Sequence, residues 1–144
     1  MFLARDKKTN KEYALKQIKM AQEQDGFPIT SLREVAILTQ LRQKPKPHPN
    51  IVRLEEVVVG YKQESIFLAF EYCKVDVANL IDMMVSTPNN ESFSLSEIKC
   101  LILQLVKAVI HLHDNQIIHR DLKLSNLLLT EDGVLKLADF GLAR

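Results

Sequence analysis

The stretch IIHRDLKLSNLLLTEDGVLKLADFGLAR, residues 117–144, decides how this chain reads. It opens inside a loop, 115–126, that carries His119, Arg120, Asp121, Lys123 and Asn126. Two short strands follow at about 127–130 and 134–138, separated by a turn at Asp132-Gly133. Asp139 comes directly after the second strand, 18 residues beyond Asp121. Upstream, Ser94 and Glu97 fit the S-x-x-E capping box that opens a helix. Ile98, Leu101, Ile102, Leu105, Ala108, Val109 and Leu112 then recur at helical spacing through residue 114. Such a stripe has to be buried against something.

Further outward the pattern changes. Residues 12–19 alternate as a strand does, with Tyr13 and Leu15 on one face and Ala14, Lys16 and Ile18 on the other. A polar loop over 21–27 leads to Pro28, which suits the first turn of a helix over about 28–42. RQKPKPHPN, with three prolines in nine residues, reads as a loop. Residues 51–59 and 65–72 read as strands around a turn at Gly60, and 77–85 as a short helix. CKVD between them lacks strong patterning, and STPNNES is a polar connector. There is no internal repeat. Strands with one helix, then helices, then a hairpin predict an α+β fold in two lobes.

Composition narrows the possibilities. The chain has 144 residues, which suggests one domain. Nineteen Lys and Arg against eighteen Asp and Glu leave a net charge of only +1, which speaks against sequence-independent nucleic-acid binding. A hydrophobic content of 47% is too high for a disordered chain. The four glycines, at 26, 60, 133 and 141, are too far apart for a G-x-G-x-x-G or Walker A phosphate loop. Cys73 and Cys100 make neither a disulfide framework nor a zinc site. MFLARDKK has no apolar signal core, and ILQLVKAVIHLH is too short and polar to span a bilayer. A soluble intracellular protein is expected, with no membrane partner.

Four elements then combine. IIHRDLKLSN matches H-R-D-x-x-x-x-N, and LADFGLAR carries D-F-G. Ala14-Leu15-Lys16 lies on an early strand, and Glu34 on the helix after it. In this order and on these elements they resemble the eukaryotic protein kinase family. The resemblance implies a two-lobed kinase-like fold, ATP and Mg²⁺ as cofactors, and phosphoryl transfer by positioning and electrostatic stabilisation. In that reading Lys16 holds the α- and β-phosphates and Glu34 orients it. Asp139 and Asn126 ligate Mg²⁺. Asp121 accepts the proton of the substrate hydroxyl, and Lys123 marks a serine/threonine kinase and sits over the transferring phosphate. The backbones of Glu71 and Cys73 bond adenine, Phe70 blocks the back of the pocket, and Ala14 and Leu128 sandwich the base. Lys16, Glu34, Asp121, Asn126 and Asp139 would meet around one nucleotide between the lobes.

PITSLRE, residues 28–34, narrows this further. It resembles the cyclin-binding helix of cyclin-dependent kinases, in particular their PITSLRE/PISSLRE branch, and DGFPITSLRE, HPNIVRLEEVVVG, ESIFL and DFGLAR agree. Between those two members the reading stays open. The resemblance implies a cyclin partner for the helix containing Pro28–Glu34, protein substrates, and a nuclear or cytoplasmic location. It also implies that Arg33, Arg120 and Arg144 converge on a phosphothreonine, which guanidinium forks grip well.

The match covers about half of a kinase domain. Residues 1–73 correspond to a partial N-lobe without its first strand and Gly-rich loop. Residues 74–144 correspond to a partial C-lobe ending just after D-F-G. Negligible activity of the isolated chain is expected, and part of the 94–114 stripe should face water. An insert, QKPKP, precedes HPN, and Leu124 replaces a common proline. Ser31-x-x-Glu34 offers a capping-box alternative for Glu34. His119 reads as packing behind D-F-G, His48 as fixing its loop, and RQKPKP as a solvated loop. The competing function is a catalytically inactive, truncated cyclin-binding module.

Overall fold

The computed structural model describes residues 1–18, 28–42, 47–60, 66–88 and 91–144. The expected loop over 21–27, residues 43–46 of the proline-rich loop, the segment after Gly60 and residues 89–90 of the polar connector lie outside them. The chain divides into two compact units. The first comprises Met1–Pro47, Val52–Tyr72 and Phe140–Leu142; the second comprises His48–Ile51, Cys73–Asp139 and Ala143–Arg144.

In the first unit, strands β1 (Phe2–Arg5), β2 (Glu12–Ile18), β3 (Leu54–Val59) and β4 (Ile66–Glu71) form an antiparallel sheet ordered β1-β2-β4-β3. Helix α1 (Ile29–Arg42) lies against β3. Its core includes Ile18, Leu38, Leu41, Leu54, Leu68 and Phe70. Side chains alternate along a strand, so Ala14, Lys16 and Ile18 share one face of β2. The register sets Ala14 opposite Phe70 and Lys16 opposite Leu68. The third strand begins at Leu54, later than the expected residue 51. Ile51 instead makes a parallel bridge to Leu137 within the second unit, and β3 itself is irregular between Leu54 and Glu56.

The second unit holds α2 (Val77–Val85), α3 (Leu95–Asp114), a 3₁₀ turn (Leu124–Asn126) and a small antiparallel sheet. Its strands are β5 (Val75–Asp76), β6 (Leu127–Leu129) and β7 (Leu135–Leu137), in that order. Ser94 caps α3 with both halves of the capping box present, as its sequence requires. Gly133 takes φ +74° in the β6–β7 turn, a conformation that costs glycine little. Leu112, Leu135 and Leu137 are fully buried, each contributing about 1.5–3 kcal/mol relative to exposure. Of the apolar stripe on α3, Ala108 and Leu112 are buried, whereas Ile98 and Ile102 are exposed. Burial is therefore concentrated toward the C-terminal half of the helix.

Candidate active site

Within the first unit, β2 and α1 bring Lys16 and Glu34 together. Lys16 Nζ donates to Glu34 Oε2 at 2.8 Å and Oε1 at 3.1 Å. The Glu34 side chain is 3% exposed and that of Lys16 is 35% exposed. A carboxylate this deeply buried needs a cation, while the lysine keeps one side toward solvent. The helix start decides between the two readings of Glu34. Pro28 O accepts the backbone N–H groups of Ser31 and Leu32, and α1 begins at Ile29. Ser31 therefore lies inside the first turn, which rules it out as the N-cap that a capping box demands.

Phe70 is buried opposite Ala14. The next residue, Glu71, is clamped by Arg53: its N–H donates to Arg53 O at 3.0 Å, and its Oε1 accepts Arg53 N–H at 2.8 Å. Arg53 was not singled out in the sequence, since main-chain contacts leave no mark on residue type. Arg33, on α1, donates through Nη1 to Gly141 O at 3.4 Å.

Within the second unit, the loop before β6 gathers three predicted residues. Asp121 Oδ2 accepts from Lys123 Nζ at 2.8 Å and from Asn126 Nδ2 at 3.0 Å. Asn126 Nδ2 also donates to Asp121 O at 2.9 Å. The hydrogen bond from Lys123 holds the Asp121 carboxyl below its usual range, and Asp121 in turn raises Lys123. This direct pairing adds to the phosphate-facing position expected for Lys123.

Asp139 is set by its predecessor. Ala138 N–H donates to Asn126 O, and Ala138 O lies 2.9 Å from His119 Nε2. His119 Nδ1 accepts Asp121 N–H at 3.3 Å. An accepting Nδ1 leaves the proton on Nε2, so the ring donates to Ala138 O. Burial pushes the His119 pKa down, which keeps it neutral in that role. Arg120 and Asp139 both take left-handed backbone angles, φ 67° and 63°. Non-glycine residues adopt these at a cost that is met where surrounding contacts enforce it. Arg144 exchanges two backbone hydrogen bonds with Ile118, so Arg120 and Arg144 share a unit that Arg33 does not.

Cys73 is half-buried and leads into β5; Leu128, also half-buried, pairs with Asp76 across β5 and β6. These two therefore stand in the second unit, and Ala14, Phe70 and Glu71 in the first. Among the described residues there is no cluster of three or more His, Cys, Asp or Glu side chains suited to a metal. The residues that the sequence assigns to a metal are one carboxylate, Asp139, and one amide, Asn126. The amide nitrogen of Asn126 is committed to Asp121, which turns its oxygen the other way. One carboxylate and one amide oxygen fit a hard cation that draws its other ligands from phosphates and water.

Comparison with known proteins agrees with this geometry. A model of the "Protein kinase domain" matches residues 1–144. Cyclin-dependent kinase 10 of Homo sapiens is 51% identical over 144 residues, covering 100% of this chain and 37% of that protein. Serine/threonine-protein kinase PITSLRE of Drosophila melanogaster is 49% identical over the same 144 residues, 100% of this chain and 14% of that protein. In the crystal structure of the yeast RNA Pol II CTD kinase CTDK-1 complex, one chain aligns with a TM-score of 0.81 at 38% identity. The alignment covers 99% of this chain and 42% of that one. The chain thus spans little more than a third of the length of human cyclin-dependent kinase 10. With a family model matched from end to end and relatives half identical to it throughout, this chain belongs to the protein kinase domain family.

Proposed function

We propose that the chain carries part of the machinery of a cyclin-dependent serine/threonine kinase, which transfers the γ-phosphoryl group of MgATP to a protein hydroxyl. One observation carries this reading: Asp121 is held by Lys123 and by Asn126, while Asn126 O and His119 fix Ala138 just before Asp139. A carboxylate held below its usual pKa is a weak base. Asp121 therefore orients the hydroxyl first and accepts its proton as transfer completes. Lys123, already on Asp121, swings its ammonium over the phosphoryl group. Asn126 and Asp139 would hold Mg²⁺, which would supply charge neutralisation at the phosphoryl oxygens.

Lys16, aimed by Glu34, grips the α- and β-phosphates. In the first unit Ala14 contacts adenine with Phe70 behind it, and in the second unit Leu128 serves as an adenine contact. Cys73 offers its backbone to the base edge. The Glu71 N–H is engaged by Arg53, so the adenine contact at Glu71 falls to its carbonyl. Arg33 offers its guanidinium to a phosphothreonine, the long 3.4 Å bond to Gly141 O being one a phosphate would readily replace, and Arg120 and Arg144 act as phosphate ligands within the second unit. The test is phosphoryl transfer by the full-length protein with its cyclin. Asp121→Asn should lower the rate about 10²–10⁴-fold. An unchanged rate refutes the assignment.

A cyclin partner has its own support. Ile29 and Leu32, in the first turn of α1, are 73% and 53% exposed. Paired apolar side chains on a helix end suit a protein partner better than water. That surface also sustains the second reading, a cyclin-binding module without catalysis. Leu32→Asp should abolish cyclin capture, and Asp121→Asn should leave it intact. We assign the protein to the cell interior, nucleus or cytoplasm, with protein rather than nucleic acid as substrate. Among the described residues no helix is long and apolar enough to cross a membrane.

A further inference from the structure

β7 ends its sheet among the described residues, and its outward polar groups are met by the side chains of Asn50 and Gln104 and by the main chain at Asn50, beside the Ile51 bridge. Asn50, buried, does most of this. Its Nδ2 donates to Leu135 O at 2.9 Å and to Gln104 Oε1 at 2.8 Å, and its carbonyl accepts Leu137 N–H at 2.9 Å. Gln104, from α3, accepts Leu135 N–H at 2.9 Å. Asn50 is itself held by a histidine: its N–H donates to His48 Nδ1 at 3.1 Å. The His48 ring stacks on His111 of α3, with centroids 4.8 Å apart and planes inclined by 28°. His111 Nε2 is buried and has no hydrogen-bond partner.

We propose that His48 and His111 form a proton-operated latch on β7, closed while His48 is neutral and opened when it takes up a proton. An Nδ1 that accepts must be unprotonated. A proton there would turn acceptor into donor and face it against Asn50 N–H, so ring and loop must part. Among the described residues, the charged groups that act on His48 are bases: His111 and Lys107 from α3 and Lys136 from β7. Burial and these neighbours hold the His48 pKa down, so the latch stays shut at neutral pH. The strand it secures runs through Ala138 into Asp139. The latch is independent of the phosphotransfer reading.

Amide hydrogen exchange of the full-length protein, corrected for intrinsic rates, tests this between about pH 7.5 and pH 5.5. Protection at Asn50, Leu135 and Leu137 should fall by up to about tenfold per pH unit as His48 titrates, while Leu68 in the first unit keeps its protection. In His48→Asn, an oxygen that does not titrate takes the place of Nδ1, and protection at Leu137 should become independent of pH. Constant protection at Leu137 in the wild type overturns the latch. So does a loss shared equally by Leu68, which would mean general unfolding. If His48→Asn does not fold, His111→Phe keeps the stacked ring without its charge. Followed to lower pH, the total acid loss at Leu137 should then be smaller, because the closed state disfavours the His48 proton less, and an unchanged loss overturns the latch.

Discussion

Removing the charge of Lys16 should damage the fold more than removing that of Glu34. The asymmetry follows from exposure: the Glu34 side chain is 3% exposed and the Lys16 side chain 35%. Lys16→Met leaves a buried carboxylate without its cation. Breaking a fully buried pair in this way costs about 3–5 kcal/mol. Lys16 already touches water, so solvent compensates part of the loss and about 2–3 kcal/mol is the better figure. Glu34→Gln keeps a polar group near Nζ, and the part-exposed ammonium can turn further to solvent, so about 0.5–1.5 kcal/mol is expected. The double variant has no charge left to bury and should be more stable than Lys16→Met alone. Urea unfolding of the full-length protein, followed by circular dichroism, measures all four members of the cycle. Additive losses, or equal losses in the two single variants, would refute the reasoning.

Three other outcomes are expected. Ser94→Ala removes the reciprocal cap of α3 and should cost about 0.5–2 kcal/mol in the same urea assay, whereas Ser96→Ala should cost less. Asn126→Ala removes both bonds to Asp121 and the amide oxygen proposed to hold Mg²⁺. Phosphoryl transfer should fall at least about tenfold and should need more Mg²⁺ for half-maximal rate; an unchanged Mg²⁺ dependence would count against Asn126 as a ligand. His119 is buried with its pKa pushed down, so the unfolded chain binds its proton more readily than the folded one. Its contribution is complete above the ordinary histidine pKa near ~6.5 and is lost as pH falls through the lower folded value. Stability measured from about pH 7.5 to pH 5 should decline, and less steeply in His119→Asn.

Helices were the most legible part of the sequence. The stripe of α3 and its Ser94–Glu97 box mark a helix that the structure starts at Leu95, and α2 occupies the expected 77–85. Both signals are local, so residue order suffices to carry them. β5 left no trace because two residues cannot express a period; Val75 and Asp76 are a strand through pairing with Leu129 and Leu128, more than fifty positions away. The start of β3 was misread for a related reason. Ile51 has strand-like chemistry, but its bridge goes to Leu137. In the candidate site, side chains with rare chemistry stood out: Lys16, Glu34, Asp121, Asn126 and Asp139. The contacts that aim them did not. Arg53 clamps Glu71 mainly through its main chain, and Asn126 reaches Ala138 through its carbonyl, so residue type records neither.

The spacing from Asn126 to Asp139 has a mechanical origin in the β6–β7 hairpin. Its register pairs Leu127 with Leu137, Leu128 with Lys136 and Leu129 with Leu135. Continuing that register by one step brings Asn126 opposite Ala138, where the hydrogen bond from Ala138 N to Asn126 O is found. The hairpin therefore acts as a caliper. Its length and pairing, fully set by three buried-to-half-buried rungs, deliver Asp139 to the loop that holds Asp121. His119 closes the same corner from the other side by donating to Ala138 O, so the residue before Asp139 has both its polar groups spoken for. With Ala138 pinned in this way, the left-handed φ of Asp139 is imposed by its surroundings and needs no glycine. A one-residue slip would send alternate side chains to the opposite face of the sheet and separate Asn126 from Ala138. Leucines at 127, 129, 135 and 137, all buried, make that slip costly. The apolar residues between the motifs thus set the distance at which the polar ones meet.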